Sequence, residues 1–211
     1  IGTELTSGQI TNRNAAWISA KLESVGIPVQ WHFCVPDDRA LMREAMELAE
    51  SRADLVFITG GLGPTSDDFT RDVVAEWWGK KLAWYEPSWT KAVERLARRG
   101  ITPPESSKQQ CWYPEGASVL SNREGTADGF RLDRKRSDGT PFAVFVLPGP
   151  PREIDAVWQD HVAGWLKTEF GDLAPVEPLK WAVLGRSEAQ LGDLVEEAVR
   201  GSGLVTGYRA T

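Results

Sequence analysis

The sequence predicts an α/β protein, a doubly wound and mostly parallel sheet with helices on both faces, followed by a small α/β extension. Three observations predict it. Strand-like and helix-like segments alternate along the chain, the pattern that builds a sheet covered on both sides. The apolar run Asp54–Ile58 breaks off abruptly into Thr59-Gly60-Gly61-Leu62-Gly63-Pro64, as a buried parallel strand does before a glycine-rich loop. Apolar residues recur at helical spacing between the strands, with capping residues at the starts of the runs. The 211 residues exceed a typical domain of about 100 to 200. Residues 1–170 are expected to form the main domain and 171–211 an incomplete extension.

Taken in order, Gly2-Thr3-Glu4 is expected to follow a truncated first strand, since the chain opens on Ile1 without a methionine or a signal-peptide pattern. Ala15, Ile18, Leu22 and Val25 mark a helix capped by Asn12 or Asn14 and stopped by Gly26-Ile27-Pro28. Pro28 to Cys34 reads as a strand. Leu41, Ala45 and Leu48 define a second helix entered through Asp37-Asp38. After the glycine-rich loop, Asp67 or Asp68 is expected to cap a helix carrying Val73, Val74 and Trp77. Further helices are predicted at Ser88–Arg99 and Arg152–Phe170, the latter fed by a strand at Phe142–Leu147 through Pro148-Gly149-Pro150-Pro151. Between 101 and 140 the periodicity weakens to short strands at Ala117–Leu120 and Gly129–Asp133 and a hairpin tip at Arg134–Thr140. Pro175–Pro178 reads as a linker, Leu179–Leu184 as a strand, and Leu191 to Val199 as a helix. The end at Tyr208–Thr211 falls in mid-pattern.

Composition narrows the function. A net charge of -6 provides no global field for a polyanion, so nucleic-acid binding is excluded as a main activity. No apolar run approaches the roughly 18 residues of a membrane span. Two cysteines, Cys34 and Cys111, and two histidines, His32 and His161, offer neither a zinc spacing nor a disulfide framework, and the reducing cytoplasm is the expected compartment. The ten tryptophans are spread along the chain, which fits core packing better than a stacking platform.

Chemistry concentrates in Thr59 to Thr70. Glycines at 60, 61 and 63 permit a close backbone approach, and the following helix offers unpaired N–H groups to phosphate. The alternative is a tight strand-to-helix turn with ordinary caps. Asp67 and Asp68 have the oxygen ligands a hard divalent cation takes, and either can serve as general base. Taken singly, each is explained as a cap or a first-turn acid. Thr3 and Glu4 are placed beside this loop at the carboxyl edge of the sheet, and Asp37 faces the same edge. Lys108 or Arg152 could neutralise phosphate charge.

Five ordered motifs, GTELTSGQITNRNAAWISAKLESVGIPV, TGGLGPTSDDFTRDVVAE, SKQQ, SNREGTADGF and LPGPPREI, together resemble the N-terminal domain of the CinA (competence/damage-inducible) family, of the molybdopterin-binding, MogA-like superfamily. The resemblance runs from Ile1 to about Phe170, and Gly185-Arg186-Ser187-Glu188 resembles the small extension that follows. It implies a self-associating, molybdopterin-binding-domain-like protein that hydrolyses ADP-ribose and related nucleotide diphosphates to AMP and a sugar phosphate, with a divalent metal (Mg, Mn or Co). On this resemblance Asp67, Asp68 and Lys108 are the catalytic positions, with Asp67 and Asp68 on metal. Glu4, Asn14, Asp37, Thr59, Gly60, Gly61, Leu62, Gly63, Thr65, Asn122, Gly149 and Glu153 are the substrate positions, to which the place of Thr3 at the sheet edge adds that residue. Molybdopterin binding or adenylylation in molybdenum cofactor synthesis is the alternative, using the same cradle for a pterin phosphate. A non-catalytic nucleotide-sensing module is the third reading. Three departures stand out: Asp128 occupies a position where the family has proline, Pro150 replaces an aliphatic residue, and Gln110-Cys111-Trp112 is atypical beside the lysine.

Overall fold

Strand β6, Pro141–Leu147, is buried at every position but the first, and its sequence PFAVFVL is apolar throughout because both of its faces are covered. In the computed structural model, which describes residues 1–171, 173 and 179–208, β6 pairs in parallel with β1 (Leu55–Thr59), from Leu55 opposite Ala143 to Thr59 opposite Leu147. On its other side it pairs antiparallel with β5 (Gly129–Lys135), which β4 (Ser118–Leu120) flanks. The order is β1-β6-β5-β4. The α/β class holds, but with one parallel and two antiparallel pairings the sheet is mixed, because the short strands of the weakly patterned stretch join it as a meander.

Alternation along β6 divides the core. Phe142, Val144 and Val146 face Met42 and Met46 of α3 (Arg39–Glu50) and Val73, Val74, Trp77 and Trp78 of α4 (Thr70–Trp78). Phe145 and Leu147 face Ile18 and Leu22 of α2 (Arg13–Glu23) and the helical run that follows β6. That run, expected as one helix, is α6 (Pro151–Val157), a wide π turn at Trp158–Val162 and α7 (Ala163–Phe170). A short α1 (Thr3–Thr6) opens the chain, and α5 (Glu86–Ala97) lies before a 3₁₀ turn at Glu105–Cys111. A second, two-stranded sheet joins β2 (Leu82–Trp84) to β3 (Trp112–Pro114).

Several expectations are corrected. Pro28–Cys34 forms no strand: a cleft of about 460 Å³ separates it from β1, and a strand exists only with a partner about 4.8 Å away. Helix α3 buries Met42, Met46 and Ala49 while Leu41 and Leu48 are exposed. The buried stripe is thus rotated by one residue, about 100°, because packing against α4 selects the methionine face. The N-cap of α4 is Phe69, with no side-chain cap, so neither Asp67 nor Asp68 caps it. Asn12 and Asp38 do cap α2 and α3, accepting from Ala15 N and Leu41 N at 3.0 and 2.9 Å.

The chain divides into two compact units, Ile1–Val176 and Glu177–Thr211. In the second, 179–184 forms no strand, and α8 (Glu188–Val199) starts with a capping box of Ser187 and Gln190. The expected linker at 175–178 and residues 209–211 lie outside the described residues.

Candidate functional site

Where β1 ends, the chain must turn sharply into α4, and two glycines accomplish it. Gly60 and Gly61 take φ of 96° and 65°, conformations that side chains disfavour. A Cβ on Gly60 would lie 2.6 Å from Ile1 O, one on Gly61 would strike Thr70 Oγ1, and one on Gly63 would strike the Asp68 carboxylate. The carbonyls of this loop are tied back to the protein. Thr70 Oγ1 donates to Gly60 O at 3.0 Å, Thr70 N to Gly61 O at 3.2 Å and Arg71 Nη1 to Leu62 O at 2.9 Å. Gln109 Nε2 donates to Gly63 O at 3.1 Å, Thr65 O at 2.8 Å and Asp68 O at 3.3 Å. Among the described residues, the N–H groups of Gly61, Leu62 and Gly63 have no acceptor. A loop with its carbonyls engaged and successive N–H groups free has the donor arrangement of an anion cradle.

Two further segments reach the same edge. The Ile1 nitrogen donates to Thr59 O at 2.9 Å, so the 1–4 segment starts at the end of β1, where Thr3 N and Oγ1 donate to Asp37 Oδ2 at 2.8 and 2.9 Å. Glu4 follows on α1, exposed. Beyond β6, Gly149 approaches Gly60, since a Cβ on it would lie 3.7 Å from Gly60 Cα. Asn14 Nδ2 donates to Gly149 O at 2.8 Å. Thr3, Asp37, Asn14, Thr59, Gly149 and the glycine loop thus gather at the carboxyl ends of β1 and β6, where open α/β sheets bind ligands.

The remaining sequence-derived positions sit differently. Asp68 Oδ2 accepts from Thr65 N at 3.0 Å and from its hydroxyl, closing the loop on itself, while Asp67 is exposed. Lys108 pairs with Glu105 at 2.7 Å, its ammonium 5.8 Å from the Trp89 ring centre; its neighbour Gln109 is the residue that holds the loop. Asn122 is fully buried. It donates to Ala127 O at 2.9 Å and Glu153 Oε2 at 2.7 Å, and accepts from Glu124 N at 2.9 Å and Gly125 N at 3.0 Å. Burial raises the Glu153 pKa above its ordinary value, and the Asn122 amide pulls it part of the way back. Asn122 and Glu153 are brought together, with Asn122 acting as the pin of its own loop.

Sequence reasoning missed a buried polar cluster under the loop. Asp128, which the resemblance marked as a departure, accepts from Ser88 Oγ at 2.6 Å and Asn122 N at 2.7 Å and pairs with Lys91. Arg71, 2 % exposed, lies between Leu62 O, Asp128 O and the Tyr113 ring. Its pKa is lowered by burial, against which Tyr113 and Asp128 act, and a guanidinium so placed stays charged. Burial pushes the Cys111 thiol up to about 11, far from a nucleophile's range. The departure at Asp128 was the one visible signal.

Among the described residues no group of three or more His, Cys, Asp or Glu side chains could hold a metal ion. With Asp68 Oδ2 committed to Thr65, the donor set does not make a protein-only cation site.

A sheet covered by helices on both faces, with a glycine-rich loop at the carboxyl end of its parallel pair, is an α/β domain of the molybdopterin-binding-domain type, as sequence comparison shows. The family described as "Probable molybdopterin binding domain" matches residues 1–168. The chain belongs to this family, and within it to the CinA-like proteins. A CinA-like protein of Dictyoglomus turgidum is 37% identical over 198 residues, which is 93% of this chain and 47% of the relative. The chain therefore spans about half the length of the curated relatives it matches. The crystal structure of CinA from Thermoplasma acidophilum, described as of unknown function, is 28% identical with a TM-score of 0.63, covering 80% of this chain and 93% of that one. The tungsten cofactor synthesizing protein MoaB of Pyrococcus furiosus shares the fold at 21% identity and a TM-score of 0.50, over 79% of this chain and 91% of its own.

Proposed function

We propose that this domain binds the phosphate of a pterin or nucleotide ligand on the loop of residues 60–65, molybdopterin being the ligand its family's description names. The observation that carries this reading is the loop's division of groups: its carbonyls face Thr70, Arg71 and Gln109, and the N–H groups of Gly61, Leu62 and Gly63 are free of protein acceptors among the described residues. Such donors at the end of a parallel strand hold anions whatever the net charge of the chain. Thr3, Asn14 and Gly149 border the loop, and we assign them to the remainder of the ligand. The test is titration of a pterin phosphate and of ADP-ribose into ¹⁵N-labelled protein. The amide resonances of Gly61, Leu62 and Gly63 are expected to move first and furthest, and loop resonances unmoved by both ligands would refute the assignment.

A second reading is hydrolysis of a nucleotide diphosphate such as ADP-ribose to AMP and a sugar phosphate, favoured by the exposed Asp67 carboxylate two residues beyond Thr65. It requires a divalent cation to draw most of its ligands from the bound phosphates, and Lys108 to leave Glu105. Release of AMP in the presence of Mg²⁺, Mn²⁺ or Co²⁺, abolished by Asp67→Asn, supports it; intact ADP-ribose with every metal rejects it. Self-association belongs to the same proposal and is read by sedimentation equilibrium.

A further inference from the structure

Beneath the free N–H groups of the glycine loop lies a buried cation that the fold does not need for packing. Arg71 stands in the first turn of α4 among Val73, Val74 and Trp77. An apolar side chain of similar volume would fill its place without the cost of desolvating a charge. Its Nη1 is 2.9 Å from Leu62 O, its Nη2 3.5 Å from Asp128 O, its Cζ 5.5 Å from the Tyr113 ring centre, and its Nε has no partner among the described residues. Asp128 is a buried carboxylate that Lys91 already pairs with, and Arg71 meets it only through its backbone oxygen, so the guanidinium has no ion-pair partner of its own in the cluster.

The Leu62 carbonyl and the Gly63 N–H belong to one peptide group. A charged donor on the carbonyl draws electron density through that group and strengthens its N–H as a donor. The Gly63 N–H is one of the three that face no protein acceptor. We propose that Arg71 is the positioning residue of the anion site: its guanidinium fixes and polarises the Leu62–Gly63 peptide and sets positive charge behind the loop, while Asp128 limits how much of that charge a bound anion feels. This inference rests on the reading of the loop as a phosphate site.

The experiment titrates inorganic pyrophosphate into the wild type, Arg71→Lys and Asp128→Asn, following ¹⁵N–¹H spectra and Tm together. Arg71→Lys, which keeps the charge but not the planar fork that fixes the Leu62 carbonyl, is expected to weaken pyrophosphate binding about tenfold and to shift the Gly63 amide resonance in the free protein more than those of Gly61 and Thr65. Asp128→Asn is expected to move the two readouts in opposite directions, lowering Tm while tightening pyrophosphate binding severalfold. A purely structural role would lower both together, and that outcome overturns the proposal. Should Arg71→Lys fail to fold, the Asp128→Asn arm decides alone. Binding to the wild type with affinity unchanged in both variants defeats this inference and leaves the site standing. A wild type that does not bind pyrophosphate defeats the site and the inference with it.

Discussion

Both ends of the Asn122 amide are committed: the nitrogen donates to Ala127 O and Glu153, and the oxygen accepts from Glu124 N and Gly125 N. Because the residue is fully buried, Asn122→Ala leaves several polar groups without partners or water. At about 1–3 kcal/mol for each unsatisfied group, partly relieved by relaxation, a loss of about 3 kcal/mol in urea denaturation is expected. Glu153 gives a pH test of the same contact. Its pKa in the folded protein lies above the ordinary 4.5, chiefly through burial, so the folded state holds the proton more tightly than the unfolded chain. Stability therefore falls as pH rises from 4.5 through the folded value. Glu153→Gln keeps an acceptor for Asn122 and removes the ionisation, so the variant is expected to show a flatter dependence of denaturation midpoint on pH between 4.5 and 7; an unchanged slope would assign the dependence to other groups. The family resemblance singled out Asn122 and Glu153 as substrate positions, but the hydrogen bond between them joins residues 31 apart, and no local pattern encodes that.

Two Asp-Asp pairs each precede a helix, and the structure uses them differently. Asp38 caps α3 through Leu41 N while Asp37 takes Thr3; Asp68 closes the glycine loop on Thr65, and Phe69 occupies the N-cap of α4. The same dipeptide reads identically in sequence, and the intervening Phe69, packed against the core, is what shifts the helix start. Asp38→Ala is expected to cost about 1 kcal/mol, as loss of a side-chain cap does, and Asp67→Ala to leave Tm unmoved; thermal unfolding of the two variants side by side checks both. Legibility follows the same logic elsewhere. Strands β1 and β6 and helices α2, α4 and α5 were readable because their apolar patterns are local. The pairing of Leu82–Trp84 with Trp112–Pro114 was not, since two three-residue strands 30 positions apart carry no periodicity. Pro28–Cys34 carried strand chemistry without the partner that makes a strand. Of the site, the glycine loop announced itself by composition, whereas Arg71 and Gln109, although they stand in the TGGLGPTSDDFTRDVVAE and SKQQ motifs, carry no local mark of their contacts with its carbonyls.

At the scale of the whole Ile1–Val176 unit, β6 is the element both cores share. Its alternating side chains put Val144 and Val146 in the core with α3 and α4, and Phe145 and Leu147 in the core with α2, α6 and α7. Phe145 has no exposed surface, stacks on Phe57 with ring centres 5.1 Å apart and meets Trp165 edge-on at 5.0 Å. Phe145→Ala removes one of the largest side chains of the second core and is expected to cost about 3–5 kcal/mol. Because the same strand carries the first core on its other face, that loss should not stay on one side of the sheet. Hydrogen exchange in mild denaturant is expected to rise by the same free energy in peptides from α4 and from α6, the mark of a single cooperative unit. Faster exchange in α6 with α4 unchanged would mean that the two faces open independently. The distinction bears on the site, for the glycine loop leaves from β1 toward α4 and Gly149 leaves from β6 toward α6. Only if both faces unfold as one are the two borders of the proposed anion site held at a fixed spacing by the same free energy that holds the fold.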